Sequence, residues 1–472
     1  MSDGNVLPKM LNEKCRLTPS ATILPVEAYS DYKRLKTAVS QLIMEHPQIT
    51  EVISKFSDSS LVVVKPNWVL ESHMSKPEEW ESVITHPNVV LAVVEVLADL
   101  MHGKGTICLC DAPLTFANFE QIVNRGQLKQ RFETLRSQWP NLNLELLDLR
   151  REIWALKKGV ITDRRPNVQD PRGYVKVNLK KDSLFYKYSS EGRYYGADLD
   201  IKVVNARHSG EVQEYLLSKT AMMCDLFINL PKMKTHIKAG ITNCLKNLVG
   251  INGDKNWLPH FTEGTPKFKG DEFAEDRLLN IIEWKMKKFG KRLSLLFPVL
   301  GTWGLQKMRK AGLYIAGDNE KTVRNGSWYG NDTLWRMVLD LNRALLYGNL
   351  DGTLRNASEP KHYLAIVDGI IGGQGNGPTS PDAVAPGVLI GGTNPAEVDA
   401  VITQLMGFDI QKIPVVKNAF EPHCFPIARC KLNEIFVDDK RCGKKIALSD
   451  IAVAVKGGFK PPFGWKTLEA QK

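Results

Sequence analysis

The stretch "SSLVVVKPNWV" (residues 59–69) predicts a buried strand that ends abruptly in a lysine, a proline and an asparagine. Its short, valine-rich apolar run is typical of a strand inside a parallel sheet. The same arrangement returns in "GTICLCDAP" (105–113), "CDLFINLPKMKTH" (224–236) and "HYLAIVDGIIGGQGNGP" (362–378). Strands with polar residues at their carboxyl ends are therefore the repeating unit of this chain.

Helical patterns separate these strands. In "HPNVVLAVVEVLADLMHGKG" (86–105) the apolar residues follow helical spacing and stop at a glycine, and "PGVLIGGTNPAEVDAVITQLMGFD" (386–409) predicts a strand followed by a helix. We also predict a strand over 197–205, a helix over 211–223 and a long helix that begins near residue 331 and ends near 348. Alternating strands and helices predict an α/β fold with a mostly parallel sheet flanked by helices.

The positions of these patterns divide the chain into five expected segments. They are an N-terminal extension (1–58), a first part of the α/β core (59–250), a helical and loop insertion that covers the strand ends (251–355), a second part of the core (356–410) and a C-terminal tail segment (411–472). The insertion is expected to act as a lid, because it contains a loop rich in glycine, proline and aromatic residues.

The overall charge favours acidic partners. Lysine and arginine number 63 against 52 aspartates and glutamates, which gives a formal net charge of +11. The basic residues are dispersed, and aromatic residues do not alternate with them as they do on a base-stacking surface. A small anionic molecule therefore ranks before nucleic acid as the expected partner. The sequence does not indicate an oligomeric state.

The hydropathy pattern indicates no transmembrane span. The most apolar segment, "LSLLFPVLGTWGL" (293–305), is short and is broken by Pro298 and Gly301. Its basic flanks leave open a weak contact with a membrane surface. The amino terminus has no signal-peptide pattern, so we expect a cytoplasmic protein.

Eight cysteines are scattered along the chain without a Cys-x-x-Cys pair. This spacing argues against a zinc site, an iron–sulfur cluster or a disulfide framework. Reduced and mostly buried thiols are expected.

The candidate site residues follow from one rule of α/β sheets, which bind ligands beyond the carboxyl ends of the strands. The candidate catalytic residues are Asp111, His236, Lys246 and Asp368. The candidate substrate-binding residues are Lys65, Asn67, Lys232, Lys234, Asn247, Trp257, His260, Gly375 and Asn376.

Several of these residues come from "INLPKMKTHIKAGITNCLKNLVGINGDKNWLPHF" (228–261), which carries many cations. The segment is either an anion cradle or an ordinary solvated basic loop. Crowded cations lower one another's pKa, so that one lysine would act as a base near neutral pH.

Each of the other candidate residues also has a purely structural explanation. Asp111 and Asp368 either cap turns or supply oxygen ligands for a divalent metal such as magnesium or manganese. The glycines of "GGQGNGP" (372–378) either admit a phosphate or make a tight turn. Trp257 and His260 belong to the expected lid.

Six stretches, taken in order, resemble the bacterial and archaeal family called domain of unknown function 362, over about residues 60–410. They are "VVVKPNWV", "HPNVVLAVVEVL", "CDAP", "INLPKMKTH…GITNCLKNLVG", "VDGIIGGQGNGP" and "NPAEVDAVITQLMG". Many relatives carry a ferredoxin-like cysteine cluster that this sequence lacks, so the resemblance does not imply electron transfer here. "THIKAGITNCLKNLVGI" is also similar to a stretch of the nickel-dependent lactate racemase family. The cofactor chemistry of that family is not implied, because its other residues have no counterparts here.

The sequence thus predicts a cytoplasmic enzyme that acts on a small anionic substrate bearing a carboxylate, a phosphate or a sugar. Proton abstraction, group transfer and hydrolysis all remain open as its reaction. The alternative is a noncatalytic binding protein for an anionic metabolite or nucleic acid.

Overall fold

A mixed sheet of twelve strands forms the centre of the protein in the computed structural model, which describes residues 18–157, 160–296, 323–465 and 468. The strands, in chain order, are β1 (Ala21–Pro25), β2 (Leu61–Pro66), β3 (Gly105–Asp111), β4 (Leu142–Asp148), β5 (Glu152–Lys157), β6 (Val160–Pro166), β7 (Tyr174–Asn178), β8 (Tyr194–Tyr195), β9 (His208–Ser209), β10 (Val212–Ser218), β11 (Leu226–Leu230), β12 (Lys232–His236), β13 (Gly240–Ile241), β14 (Phe261–Thr262), β15 (Tyr363–Asn376), β16 (Ser380–Val384), β17 (Val388–Gly392), β18 (Phe436–Asp439) and β19 (Lys444–Ala447). The helices are α1 (Tyr32–Met44), α2 (Pro47–Ser54), α3 (Pro87–Leu100), α4 (Phe119–Asn124), α5 (Leu128–Gln138), α6 (Lys202–Arg207), α7 (Lys219–Met223), α8 (Cys244–Asn247), α9 (Leu278–Leu296), α10 (Leu334–Tyr347), α11 (Pro395–Leu405) and α12 (Pro414–Lys417).

Five neighbouring strands form the parallel part of this sheet, in the spatial order β15-β11-β2-β3-β4. The predicted α/β fold with a mostly parallel sheet is confirmed. From β2 the chain moves outward through β3 to β4, and it later returns to place β11 on the other side of β2. The carboxyl ends of β2 and β11 therefore form a topological switch point, which is where α/β sheets bind ligands.

Helices cover both faces of the sheet because successive strand residues point to opposite sides. Val62 and Val64 of β2 pack into one core cluster together with α1 and α3. Val63, between them, packs into a second cluster with α10 and α11. The inner parallel strands β2, β3 and β11 are thus buried on both faces, which explains their continuous apolar sequences.

Both ends of the chain also contribute to the sheet. β17 runs antiparallel to β15, β1 runs antiparallel to β17, and β18 and β19 extend the same edge. The segments 1–58 and 411–472, expected as an extension and a tail, therefore supply strands to the central sheet.

Two predictions of secondary structure between β7 and β11 were wrong. Residues 197–205, predicted as a strand, form bends and a turn up to Ile201 and then enter helix α6, and the Asp200 carboxylate accepts from the Lys202 N–H (3.0 Å) at the start of this helix. The helix predicted over 211–223 is mostly strand β10, because pairing with β7 buries Tyr215 and Leu217 on alternate positions. Only its last residues are helical, in α7.

The predicted glycine loop after Asp368 is also a strand. β15 continues through Asn376 because it gains new partners beyond β11, namely β12 on one side and β16 on the other. The segment predicted as the exit loop of β11 is β12, which runs parallel to β15.

Helix α10 belongs to the main core although it lies within the predicted insertion 251–355. Its residues from Met337 to Tyr347 are all buried, in the same cluster as the strands. No helix in the described part of the chain is long and apolar enough to cross a membrane. The predicted membrane-contact segment 293–305 lies outside the residues whose side chains the structure describes.

We expect Leu341→Ala in α10 to lower the free energy of unfolding of the whole protein by about 2–5 kcal/mol, because Leu341 is completely buried. The matched control Leu350→Ala, at a side chain that is 49% exposed, should change it by less than about 0.5 kcal/mol. Denaturant unfolding measures both values. A small effect of Leu341→Ala would mean that α10 is a detachable cover and not part of the core.

Candidate functional site

The ends of β2 and β11 are fixed to each other at the switch point. The Asn67 N–H donates to the Leu230 carbonyl (3.1 Å) and to the Thr85 hydroxyl (2.9 Å), and this hydroxyl donates in turn to the same carbonyl (2.6 Å). The polar side chains that follow the two strands are therefore held on a rigid backbone.

A buried ion pair lies at this point. The Lys65 amine is 2.8 Å from Asp111 and also donates to the Pro66 carbonyl (2.9 Å) and to Asn247 Oδ1 (3.1 Å). The Asp111 carboxylate accepts from the backbone N–H groups of Trp68 (2.8 Å) and Ala112 (2.9 Å). Both charges are satisfied, as a pair removed from water requires.

Gly250 packs directly against this ion pair. A Cβ atom at this position would lie 1.9 Å from Asp111 Oδ1 and 2.5 Å from Lys65 Nζ. Its carbonyl accepts from the Ala112 N–H (2.7 Å). Any side chain at residue 250 would push the two charged groups apart, so glycine is required here.

A chain of amide side chains extends from the ion pair. Asn247 Oδ1 accepts from Asn67 Nδ2 (2.9 Å), and Asn247 Nδ2 donates to Asn229 Oδ1 (2.7 Å). At the other end, Asn67 Oδ1 accepts from the Lys234 amine (2.9 Å). The candidates Lys65, Asn67, Asp111, Lys234 and Asn247 therefore form one hydrogen-bonded network.

Five lysines lie within or beside this network, and we call them the lysine cluster. They are Lys65, Lys234, Lys238, Lys246 and Lys255. Within the described residues, only Lys65 has a carboxylate as an ion-pair partner. Lys234 donates to the carbonyls of Val83 and Pro378 as well as to Asn67, and burial together with neighbouring lysines holds its pKa well below the ordinary value.

Lys246 differs from Lys65, Lys234 and Lys255 in the polar contacts of its amine. It lies on α8, whose first N–H groups, those of Cys244 and Leu245, donate to the Asp399 carboxylate (2.7 and 3.0 Å). In the part of the chain that the structure describes, its amine makes no hydrogen bond and no ion pair. Burial, aided by the field of Lys238 and Lys65, lowers its pKa to about 7.

Two further lysines have lowered pKa values. Burial lowers the pKa of Lys238 to about 8, and its amine lies 5.0 Å from the centre of the Phe261 ring. Burial also lowers the pKa of Lys255 to about 7. Lys255 differs from Lys246 because its amine donates to the carbonyls of Val249 (2.6 Å) and Asn252 (3.4 Å).

The two histidines beside the cluster are neutral at pH 7. Burial, with the field of Lys246 and Lys238, lowers the pKa of His236 well below its usual value and that of His260 to about 3. His236 Nδ1 accepts from the N–H groups of Lys238 and Ala239 (3.0 and 3.2 Å), so the ring proton is on Nε2. His260 Nδ1 lies 2.8 Å from the Leu258 carbonyl, which places its proton on Nδ1.

Lys232 and Asp368 form a second ion pair with different partners. Their charged atoms are 2.8 Å apart, both side chains are fully buried, and both contact the Tyr29 hydroxyl at 2.8 Å. Asp368 also accepts from the His86 N–H (2.9 Å), and the His86 ring stacks on Tyr29. Lys232 and Asp368 thus have no direct contact with Asp111, which occupies the first network.

The remaining candidates are engaged in packing. The Gly375 carbonyl accepts from the Thr235 hydroxyl (2.7 Å), and Asn376 Oδ1 accepts from the Phe463 N–H (2.9 Å). Trp257 is buried beneath the Arg207 guanidinium, 4.2 Å from its ring centre. None of these three contacts involves the lysine cluster.

The described residues offer no metal centre. No group of three histidine, cysteine, aspartate or glutamate side chains comes together in residues 18–157, 160–296 and 323–465. Asp111 and Asp368 each hold a lysine in a separate network, so these two carboxylates do not form the magnesium or manganese site considered above.

Residues 188–404 match the family described as Domain of unknown function (DUF362). The match confirms the resemblance and contains four of the five cluster lysines, namely Lys234, Lys238, Lys246 and Lys255. It leaves out β2 and β3, with Lys65 and Asp111.

No curated protein and no solved structure matches the chain. The similarity to the nickel-dependent lactate racemases is not shown by any of these comparisons.

Several site residues were not among the sequence candidates. Lys238 and Lys255 stood in the cation-rich segment 228–261 and could have been chosen for that reason. The nearby sequence does not mark three others as site residues, because each reaches the site through hydrogen bonds to residues distant in sequence. They are Tyr29, Asn229 and Asp399.

Asp368→Asn is expected to lower the free energy of unfolding by about 3–5 kcal/mol, because it leaves the Lys232 charge buried without a partner. Asp58→Asn, at an exposed carboxylate, serves as the matched control and should have little effect. Chemical denaturation of the two variants gives the comparison. An unchanged stability for Asp368→Asn would show that this ion pair is not structural.

Proposed function

We propose that the protein is an enzyme that binds a small anionic substrate at the lysine cluster and uses Lys246 as its base. One observation carries the proposal, namely a lysine amine with a pKa of about 7 and no partner among the described residues. A general base works best when its pKa is close to the operating pH, because it is then partly neutral and still basic. Lys246 meets that condition.

The surrounding charges support an anionic substrate. Among the described residues, Lys65 is the only lysine of the cluster that forms an ion pair with a carboxylate, that of Asp111, so a bound carboxylate or phosphate would offset the charge that remains. Lys238, with its higher pKa of about 8, would stay mostly protonated at pH 7 and attract the anion. His236, with its proton on Nε2, would donate a neutral hydrogen bond to the substrate.

The amide network supports a fixed geometry for this chemistry. Asn67 and Asn247 connect the Lys65–Asp111 ion pair to Lys234 through hydrogen bonds of 2.9–3.1 Å. A network of this kind keeps the positions of the charged groups constant while a substrate enters, which favours catalysis by oriented charges. Proton abstraction next to a carboxylate is the reaction class that best uses a neutral lysine beside cations.

A cytoplasmic location is part of the same proposal. Cys108, Cys110, Cys224 and Cys244 are buried free thiols, and a reducing compartment keeps thiols in this state.

Acetylation by methyl acetyl phosphate, an anionic reagent, tests both parts of the proposal. At pH 7 we expect Lys246 to be acetylated faster than the exposed Lys104, because its pKa of about 7 leaves Lys246 substantially neutral, and inorganic phosphate should slow that reaction by occupying the cluster. Peptide mass spectrometry measures both rates. Slow labelling of Lys246 without any phosphate effect would contradict the proposal, whereas phosphate binding without enhanced labelling would favour a noncatalytic binding protein.

The pH dependence of stability gives a second test. Lys246 has a pKa of about 7 in the folded protein and an ordinary value of 10.5, so the unfolded chain binds more protons across this interval. Its contribution to the free energy of unfolding is therefore least favourable below pH 7 and improves as the pH rises towards 10.5. Lys246→Met removes this contribution, so the variant should gain most over the wild type near pH 6 and lose that advantage by pH 10.

Denaturant unfolding at several pH values measures this difference. Lys104→Met is the control, because Lys104 is exposed. A gain in stability for Lys246→Met that does not depend on pH would mean that Lys246 keeps an ordinary pKa.

A further inference from the structure

Helix α9 carries an unusually apolar outer surface. Its outward side carries apolar side chains, which recur at helical spacing along one stripe. They are Leu278 (73% exposed), Leu279 (64%), Ile282 (43%), Met286 (51%) and Phe289 (67%). Such a concentration of exposed apolar surface on a single helix is typical of an interaction site.

The side of α9 that faces the protein is held by charged residues. Lys287 lies 3.1 Å from Glu272 and 2.8 Å from Glu283, and Arg324 lies 3.1 Å from Glu283. Lys291 pairs with Glu263. These ion pairs fix the rotation of the helix about its axis, so the apolar stripe is held facing outward.

The outward side also carries cations without acidic residues. Lys285, Lys288 and Arg292 are exposed beside the apolar stripe. Glu283 is the only acidic residue in α9, and it is engaged on the inward side with Lys287 and Arg324. The surface therefore combines an apolar stripe with positive charge along its flank.

We propose that α9 binds the surface of an anionic phospholipid bilayer, with its axis parallel to the membrane. The apolar stripe would enter the boundary between headgroups and acyl chains by about 5–10 Å, while the three cations meet lipid phosphates and carboxylates. A second copy of this chain fits the surface poorly, because a symmetric contact would bring six exposed cations together. The bilayer offers an apolar interior to the stripe and negatively charged headgroups to the three cations.

Vesicle co-sedimentation of the full chain tests the proposal. We expect binding to vesicles of phosphatidylcholine and phosphatidylserine that exceeds binding to pure phosphatidylcholine and decreases with added salt. The double variant Met286→Gln with Phe289→Gln should bind the mixed vesicles at least about tenfold more weakly, because both side chains leave the lipid boundary. Lys285→Gln and Lys288→Gln should each weaken binding about fivefold.

Two control variants separate these effects from general changes in the surface. Val168→Gln alters a side chain that is 92% exposed on another part of the chain, and Lys104→Gln removes an exposed charge outside α9. Both controls should bind vesicles as the wild type does.

Two outcomes would overturn the proposal. One is a wild-type protein that remains in the supernatant with both kinds of vesicle. The other is self-association in analytical ultracentrifugation that the double variant abolishes, which would make a second copy the occupant of this surface.

Discussion

The burial of lysine amines at the carboxyl end of the sheet is the constraint on which the rest of the site depends. A lysine removed from water must find a carboxylate, donate to carbonyls and amides, or lose its proton. The protein uses all three solutions within one region. Lys65 has Asp111, Lys234 has neutral acceptors, and burial brings the pKa of Lys246 to about 7. The differences in chemical character among these lysines follow from their partners.

Much of the fold was predictable because its signals are local. The valine-rich runs of β2 and β3 and the spacing of α3 each predict one element, and alternation of such elements implies a mostly parallel sheet. The sequence failed where pairing with distant strands decides the structure. The sequence of β10 is compatible with a helix or a strand, and pairing with β7 makes it a strand. β12 forms because β15 extends beyond β11 and offers it a partner.

The candidate site was predictable in part for the same reason. Lys65 and Asp111 stand at strand ends and Lys234 closely follows the end of β11, and the position of these strand ends can be predicted from the sequence. That Lys232 and Asp368 form a separate network could not be predicted, because this network depends on Tyr29. Tyr29 is more than 200 residues from Lys232 in sequence and more than 300 from Asp368. The lowered pKa of Lys246 depends on burial and on the side chains around it, so strand ends alone could not indicate it.

The position of Lys232 and Lys234 on strand β12 has a thermodynamic consequence. β12 pairs with β15 at Lys232 and at Lys234, with a register shift between the two positions. β15 also runs through the centre of the sheet, so the backbone that carries these lysines is ordered by folding itself. A ligand arriving at the site would not have to freeze a loop, and the conformational entropy of these residues is already lost before it binds. The site would then hold its ligand as a preformed receptor, and the binding entropy would come mainly from released water and ions.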